Sequence, residues 1–247
     1  MSPPEKLDPL IADQLKAELT CPVIGREIIV LEQTGSTNDA ILRVTRPQGE
    51  AASLGRRSRG QGGSPPALTE GFVVFAEHQT AGRGRRGNRW ESKAGKGLWF
   101  SILLRPEIEL SDAARLTIWA IEAVSDTIRA EFGLEPVIKL PNDVQLCGRK
   151  VAGVLVEMRA QEKAPHLAVV GIGINVNQSR EDFAQELQNT AISLAMALGR
   201  KVERQNFAVA LLRNLDATYG EKFAKGVRCS PAATTIPDKR VVKFRTA

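Results

Sequence analysis

Histidine is almost missing from this sequence: His78 and His166 are the only two in 247 residues. That scarcity nearly excludes a histidine-based catalytic triad and a zinc site built on imidazole. Cysteine is equally sparse. Cys21, Cys147 and Cys229 are odd in number, far apart and without a CxxC pair, which argues for a reducing compartment and against a thiolate metal site. Aromatic side chains make up 5% of the residues, few for a surface that stacks bases. No apolar run approaches the roughly 18 residues a membrane span requires, and the start, "MSPPEKLDPL", has no apolar signal core. These absences lead to the expectation of a cytoplasmic protein with no membrane partner.

What is present is ordinary globular composition, 43% hydrophobic and 25% charged, long enough for one large domain or two small ones. The net charge of +6 is unevenly placed. Residues 82–96 carry a net +5 and residues 43–59 a net +4, which leaves the remainder at −3. A duplex-binding domain spreads Lys and Arg over a face or a helix, so two basic segments on a mildly acidic body speak against DNA.

Val-, Ile- and Leu-rich runs bounded by Gly, Pro, Asn or Asp predict strands at 26–31, 71–78, 97–105, 137–140, 144–147, 150–158 and 166–176. The longest helix is expected at 112–132, with Ser111 as N-cap, an apolar stripe of Leu116, Ala120, Ile121, Val124 and Ile128, and Gly133 as its stop. Further helices fit 8–19, 37–46, 193–199 and 204–224. Several strands follow one another through short turns, so the sheet is at least partly antiparallel and the fold class is α+β. Segment 47–69, rich in Gly, Pro, Ser and Arg, has little to bury and reads as a flexible insertion.

Four stretches carry candidate chemistry. "QTAGRGRRGNRW" (79–90) places Arg83, Arg85, Arg86 and Arg89 on a glycine-rich backbone. It fits a solvated loop, an Arg/Gly tract for RNA, or a loop that closes over a small anion. "GSTNDA" (35–40) sets Ser36, Thr37 and Asn38 between a strand and a helix, as a plain N-cap or as a rim of hydroxyl and amide groups. "KLPNDVQLCGRKVAG" (139–153) returns Lys150 to the hairpin that holds Lys139 and Asp143. A lysine in such an apolar strand needs an anionic partner, either Asp143 or a ligand carboxylate or phosphate. "GIGINV" (171–176) lacks the third glycine of a dinucleotide loop, and no GxxxxGK[ST] is present, so no P-loop holds a nucleotide.

Taken in order, "STND", "QTAGRGRRGNRW", "GKGLWFSILLRP", "KLPNDVQLCGRKVAGVLVE" and "GIGINVN" resemble the biotin–protein ligases, from about Gly25 to about Lys225. The resemblance implies a catalytic domain of mixed, largely antiparallel sheet packed with helices. It also implies joining of biotin to ATP as biotinyl-5′-AMP, then transfer of the acyl group to a lysine of a biotin carboxyl carrier protein, such as that of acetyl-CoA carboxylase. Ser36, Thr37, Asn38 and Gln79 then hold the ureido end and neighbouring parts of biotin, with Gly153 also on the biotin side. Arg83, Gly84 and Arg85 close over biotin and the phosphates, and Lys150 grips the activated carboxyl group, which makes Arg83, Arg85 and Lys150 the catalytic set. Lys139, Asn142, Asp143 and Asn175, with Arg85, serve ATP and Mg²⁺, and Trp90 packs near the adenine. A homodimer is compatible with the family.

The sequence departs from the family pattern in four places. Leu140 stands where the family usually has Trp, and the 47–69 insertion is longer than usual. Residues 1–24 form a helical extension rather than a helix-turn-helix domain, so DNA binding is not expected. The tail 226–247 is too short and polar for the family's small C-terminal β-barrel. The other readings are a lipoate or octanoate ligase, of similar chemistry, and an Arg/Gly-tract RNA-binding protein.

Overall fold

The computed structural model describes residues 8–21, 23–44, 69–161 and 165–223. Nearly all of the 47–69 segment, and the whole 226–247 tail, lie outside the described residues. Seven strands form one mixed sheet in the order β1-β2-β3-β7-β6-β5-β4. They are β1 (Ile28–Thr34), β2 (Val73–Gln79), β3 (Gly97–Leu104), β4 (Val137–Lys139), β5 (Asp143–Leu146), β6 (Arg149–Arg159) and β7 (Leu167–Asn175). Only β1 and β2 run parallel; every other neighbouring pair is antiparallel. The helices are α1 (Ala12–Glu18), α2 (Thr37–Val44), α3 (Ala113–Phe132), α4 (Leu194–Leu198) and α5 (Arg204–Phe223). None of the described helices is long and apolar enough to cross a membrane.

Both faces of the sheet are covered, which explains why its strands read as apolar runs instead of alternating patterns. Side chains of a strand point to opposite faces in turn. Ile28 and Val30 of β1 accordingly join the large core under α1, α3 and α5, where Trp119, Leu211 and Leu215 are buried. Ile29 and Leu31 join a smaller core under α2, with Ile41, Val74 and Val169. β3 does the same: Leu98, Phe100, Ile102 and Leu104 face the large core. Trp99 and Ser101 alternate with them, and Ser101 bonds to α2.

Three local expectations need correction. Helix α3 begins at Ala113, after a 3-10 turn over Leu110–Asp112 that contains Ser111, so Asp112 and not Ser111 stands at the N-cap position. Its other end is as expected, with Gly133 left-handed at φ 63°. Strand β1 runs on to Thr34 because Gln33 and Thr34 pair with His78 and Gln79 of β2. The first helix is confined to 12–18, because the segment before it is bonded elsewhere. Leu10 N–H donates to Glu77 Oε1 at 2.7 Å and Ile11 N–H to Gln205 Oε1 at 3.1 Å, while the carbonyl of Asp8 accepts from Arg204. Residues 8–18 are thus built into the domain, and Leu15 of α1 is fully buried.

Two polar groups of this scaffold, one half-buried and one buried, have raised pKa values. Partial burial, aided by the charge of Asp216, pushes the Cys21 thiol up to about 11, so little of it is thiolate at neutral pH. The Tyr219 hydroxyl donates to Glu70 Oε1 at 2.6 Å, and burial with that bond raises its pKa. Tyr219→Phe removes a hydrogen bond to a carboxylate and is expected to lower stability by about 1.5 kcal/mol in urea unfolding.

Candidate functional site

The site lies on the face covered by α2, where the sheet narrows to glycine. Across the strands, Gly153 pairs with Gly173, and Gly173 with Trp99; one row further, Leu155 pairs with Gly171 and Gly171 with Ser101. The glycines are required by what lies on them. A Cβ on Gly171 would stand 2.3 Å from Asn38 Oδ1, and one on Gly173 only 2.6 Å from the Trp90 ring. These residues let α2 and the loop between β2 and β3 approach the sheet backbone directly.

Ser36, Thr37 and Asn38 are buried at the start of α2. Thr37 N–H, one of the orphan donors of a helix start, donates to Gln79 Oε1 at 2.8 Å, so β2 caps the helix. The Ser101 hydroxyl lies 2.7 Å from Thr37 Oγ1 and 2.6 Å from Asn38 Oδ1, and Asn38 Nδ2 donates to Glu157 Oε2 at 2.6 Å. This is a fixed polar rim, as the hydroxyl-and-amide reading requires. Ser101 and Glu157 went unpredicted, though each had a signal: a hydroxyl inside "LWFSILL" and a carboxylate ending "VAGVLVE" both sit in apolar strands and need partners.

The loop "GRGRRGNRW" is itself a small hairpin. Trp90 N–H donates to Gly82 O at 2.9 Å and Gly84 N–H to Asn88 O at 2.7 Å. Its tip is a 3-10 turn over Arg85–Gly87, with Arg86 left-handed at φ 57°. Arg83 Nη1 donates to Asp39 Oδ2 at 2.6 Å, and Nη2 lies 3.1 Å from both oxygens of Glu157. The hydrogen bond to Asp39, with help from the charge of Glu157, raises the Arg83 pKa against an opposing effect of burial.

Two cavities meet at Trp90 and Lys150, which line both. The first, about 40 Å³, is lined by Ser36, Thr37, Asn38, Gln79, Arg83, Gly84, Asn142 and Gly153 among others. The second, about 360 Å³, is lined by Lys139, Asp143 and Asn175, with Arg89, Phe183 and Thr190. Lys150 Nζ lies 2.7 Å from Asp143 Oδ1 and 5.1 Å from the centre of the Trp90 ring. Trp90 is therefore a wall between the cavities rather than a feature of the second alone.

Three of the expected site residues stand differently from the others. Asn142 faces the first cavity, and its amide donates to Val154 O at 3.0 Å. Asn175 lines the second, but its Nδ2 is shared between Lys150 O and Ile192 O, and its Oδ1 accepts from Gln178. It ties β7 to β6 and to the loop before α4. Arg85 lines neither cavity; it stands on a third, of about 330 Å³, with Ile118, Leu140 and Pro141. Among the described residues, no group of three His, Cys, Asp or Glu could hold a metal ion by itself.

Residues 64–175 match the model of the biotin/lipoate A/B protein ligase family. This stretch carries the sequence pattern of that family. Over 157 residues it is 41% identical to the bifunctional ligase/repressor BirA of Bacillus subtilis, a match covering 64% of this chain and 48% of that protein. Over 196 residues it is 34% identical to the biotin–[acetyl-CoA-carboxylase] ligase of Mycobacterium tuberculosis, covering 78% of this chain and 64% of the relative. The matched part of this chain thus spans about half the length of its Bacillus relative. Among solved structures, the biotin protein ligase of Aquifex aeolicus in complex with biotin and ATP superposes with a TM-score of 0.61 at 28% identity, covering 80% of this chain and 73% of that one.

Proposed function

We propose that this chain activates the carboxylate of biotin with ATP and passes the acyl group to a lysine of a biotin carboxyl carrier domain. One observation carries the reading: a single ammonium group, Lys150 Nζ, lies on the wall shared by two adjoining cavities. A carboxylate held in one and a triphosphate held in the other repel each other, and a cation between them lowers that repulsion where the new bond forms. The biotin carboxylate oxygen attacks the α-phosphorus, pyrophosphate leaves, and biotinyl-5′-AMP results. A neutral lysine amine of the carrier then attacks the acyl carbon, AMP leaves, and the amine loses a proton.

Each step needs alignment and charge more than a protein nucleophile, which agrees with a site poor in histidine and cysteine. The polar rim of Thr37, Asn38 and Gln79 suits the ureido group of biotin, which has donors and acceptors. Lys139 and Lys150 supply positive charge to the second cavity, on the nucleotide side. Mg²⁺ commonly uses one or two carboxylates plus substrate phosphates; Asp143 fits that part, and the ion would neutralise phosphate charge there. Ligand pockets are typically some 300–1,000 Å³, so the first cavity, at about 40 Å³, must widen for biotin as Trp90 or the loop gives way. The names of two relatives, both biotin–[acetyl-CoA-carboxylase] ligases, support this acceptor. Three scattered cysteines without a CxxC pair support a reducing, cytoplasmic location for this reaction.

The test is exchange of labelled pyrophosphate into ATP. Exchange is expected with biotin and not without it. Exchange with lipoate or octanoate but not biotin moves the chain to the sister chemistry, and none with any of the three overturns the reading.

A further inference from the structure

Arg83 is the one arginine of the glycine-rich loop, among the described residues, that has a carboxylate partner, and it has two. Asp39 comes from α2 and Glu157 from β6, elements far apart in sequence that converge on the same guanidinium. Both edges of the planar fork are engaged, Nη1 by Asp39 at 2.6 Å and Nη2 by Glu157 at 3.1 Å. Counting the three side chains together, the local charge is −1. A substrate anion approaching this group meets a neutralised cation and a net repulsion, and gripping it means first breaking contacts already made.

Arg83 also sits at a particular place in the loop. It bridges Arg89 across the small hairpin, flanked by the Trp90–Gly82 and Gly84–Asn88 backbone bonds. Fixing Arg83 therefore fixes the base of the hairpin and with it the attachment of Trp90, which walls both cavities. Glu157 has a second partner, Asn38 Nδ2 at 2.6 Å, so one carboxylate ties the loop and the polar rim together.

From this geometry we infer that Asp39 and Glu157 are positioning residues. They hold Arg83 as a strut that docks the loop base onto α2 and β6 before substrate arrives, and Arg83 acts through them instead of on the substrate. The inference concerns how the loop is held; only its biotin arm rests on the function proposed above.

Two variants of the full chain test it: Arg83→Gln, and Asp39→Asn combined with Glu157→Gln. The second keeps an acceptor for Asn38 and removes only the charges. Hydrogen exchange on the free protein comes first. In both variants the amides of Gly84 and Trp90 are expected to exchange about three- to tenfold faster, the range for losing one or two exposed ion pairs. Unchanged exchange in either variant overturns the strut. This arm needs no ligand, so it stands whatever becomes of the biotin reading.

Calorimetry with biotin gives a difference of sign. Through a strut, both variants weaken biotin binding by a similar factor, and combining all three substitutions weakens it no further. If Arg83 instead grips an anion, removing its two competing carboxylates leaves binding unchanged or tighter, and the positioning role is wrong. A wild-type chain that binds no biotin, with the exchange differences intact, overturns the proposed function and leaves the strut in place.

Discussion

Arg204→Ala is expected to destabilise the chain by about 3–5 kcal/mol, the usual consequence of removing one partner from a buried ion pair. The Arg204 side chain is wholly buried, and its Nη1 donates to Glu77 Oε2 at 2.8 Å and to the carbonyl of Gly97 at 3.0 Å. Its Nη2 reaches the other oxygen of Glu77 at 3.3 Å and the carbonyl of Asp8. The variant therefore strands one carboxylate that is largely shielded from water and two carbonyls, besides opening a cavity the size of a long side chain. Urea unfolding measures the loss. Glu77→Gln with Arg204→Met separates charge from volume: removing both charges while filling the space is expected to restore most of the stability. If the paired variant is as unstable as Arg204→Ala, packing and the carbonyls outweigh the ion pair. The site has a stake in this clamp, because Glu77 lies two residues before the end of β2 and Gly97 begins β3, the two strands that the glycine–arginine loop joins. A weakened clamp is expected to loosen Gln79 and Trp90 as well.

That clamp also marks the limit of what the sequence makes legible. Most of the strands could be read because they are apolar runs that turn residues close off, covered on both faces of the sheet. The short β4 and β5 at its edge were marked instead by the turns at Pro141–Asn142 and Gly148. α3 could be read from its 3.6-residue stripe and Gly133. The extended path of residues 8–11 could not, since their donors are used by Glu77 and Gln205 and a carbonyl by Arg204, all distant in sequence. Ser111 looked like a cap because serine often is one; the chain placed it inside a 3-10 turn instead.

The site shows the same division. Sequence motifs named most of the residues that line the first two cavities, and the apolar setting of Lys150 announced that it needed an anion. What they did not show was how each polar atom is used. Asn142 and Asn175 look equally free as letters, yet their amides hold backbone carbonyls of neighbouring segments. Four arginines in one loop look equivalent until Asp39 and Glu157 single out Arg83. Residue type follows from sequence, whereas donor satisfaction depends on three-dimensional neighbours.

Lys150→Ala is expected to weaken biotin binding by roughly ten- to a hundredfold, the equivalent of about 1.5–3 kcal/mol for a charge-assisted hydrogen bond. Biotin-dependent pyrophosphate exchange is expected to fall at least as far, because the cation also offsets repulsion between the two reacting anions. Loss of the fold is not the expected cause. Lys150 N–H donates to Thr190 O at 2.8 Å and its carbonyl accepts from Ile192 at 2.9 Å, backbone bonds that alanine keeps. The rival account is that Lys150 serves only to neutralise Asp143, 2.7 Å away, and that its loss harms the site by leaving that carboxylate unpaired. Asp143→Asn in the Lys150→Ala background decides between them. If neutralising Asp143 is all that Lys150 does, the second substitution restores biotin affinity. If Lys150 Nζ holds the biotin carboxylate, affinity measured by calorimetry stays low with either residue at position 143.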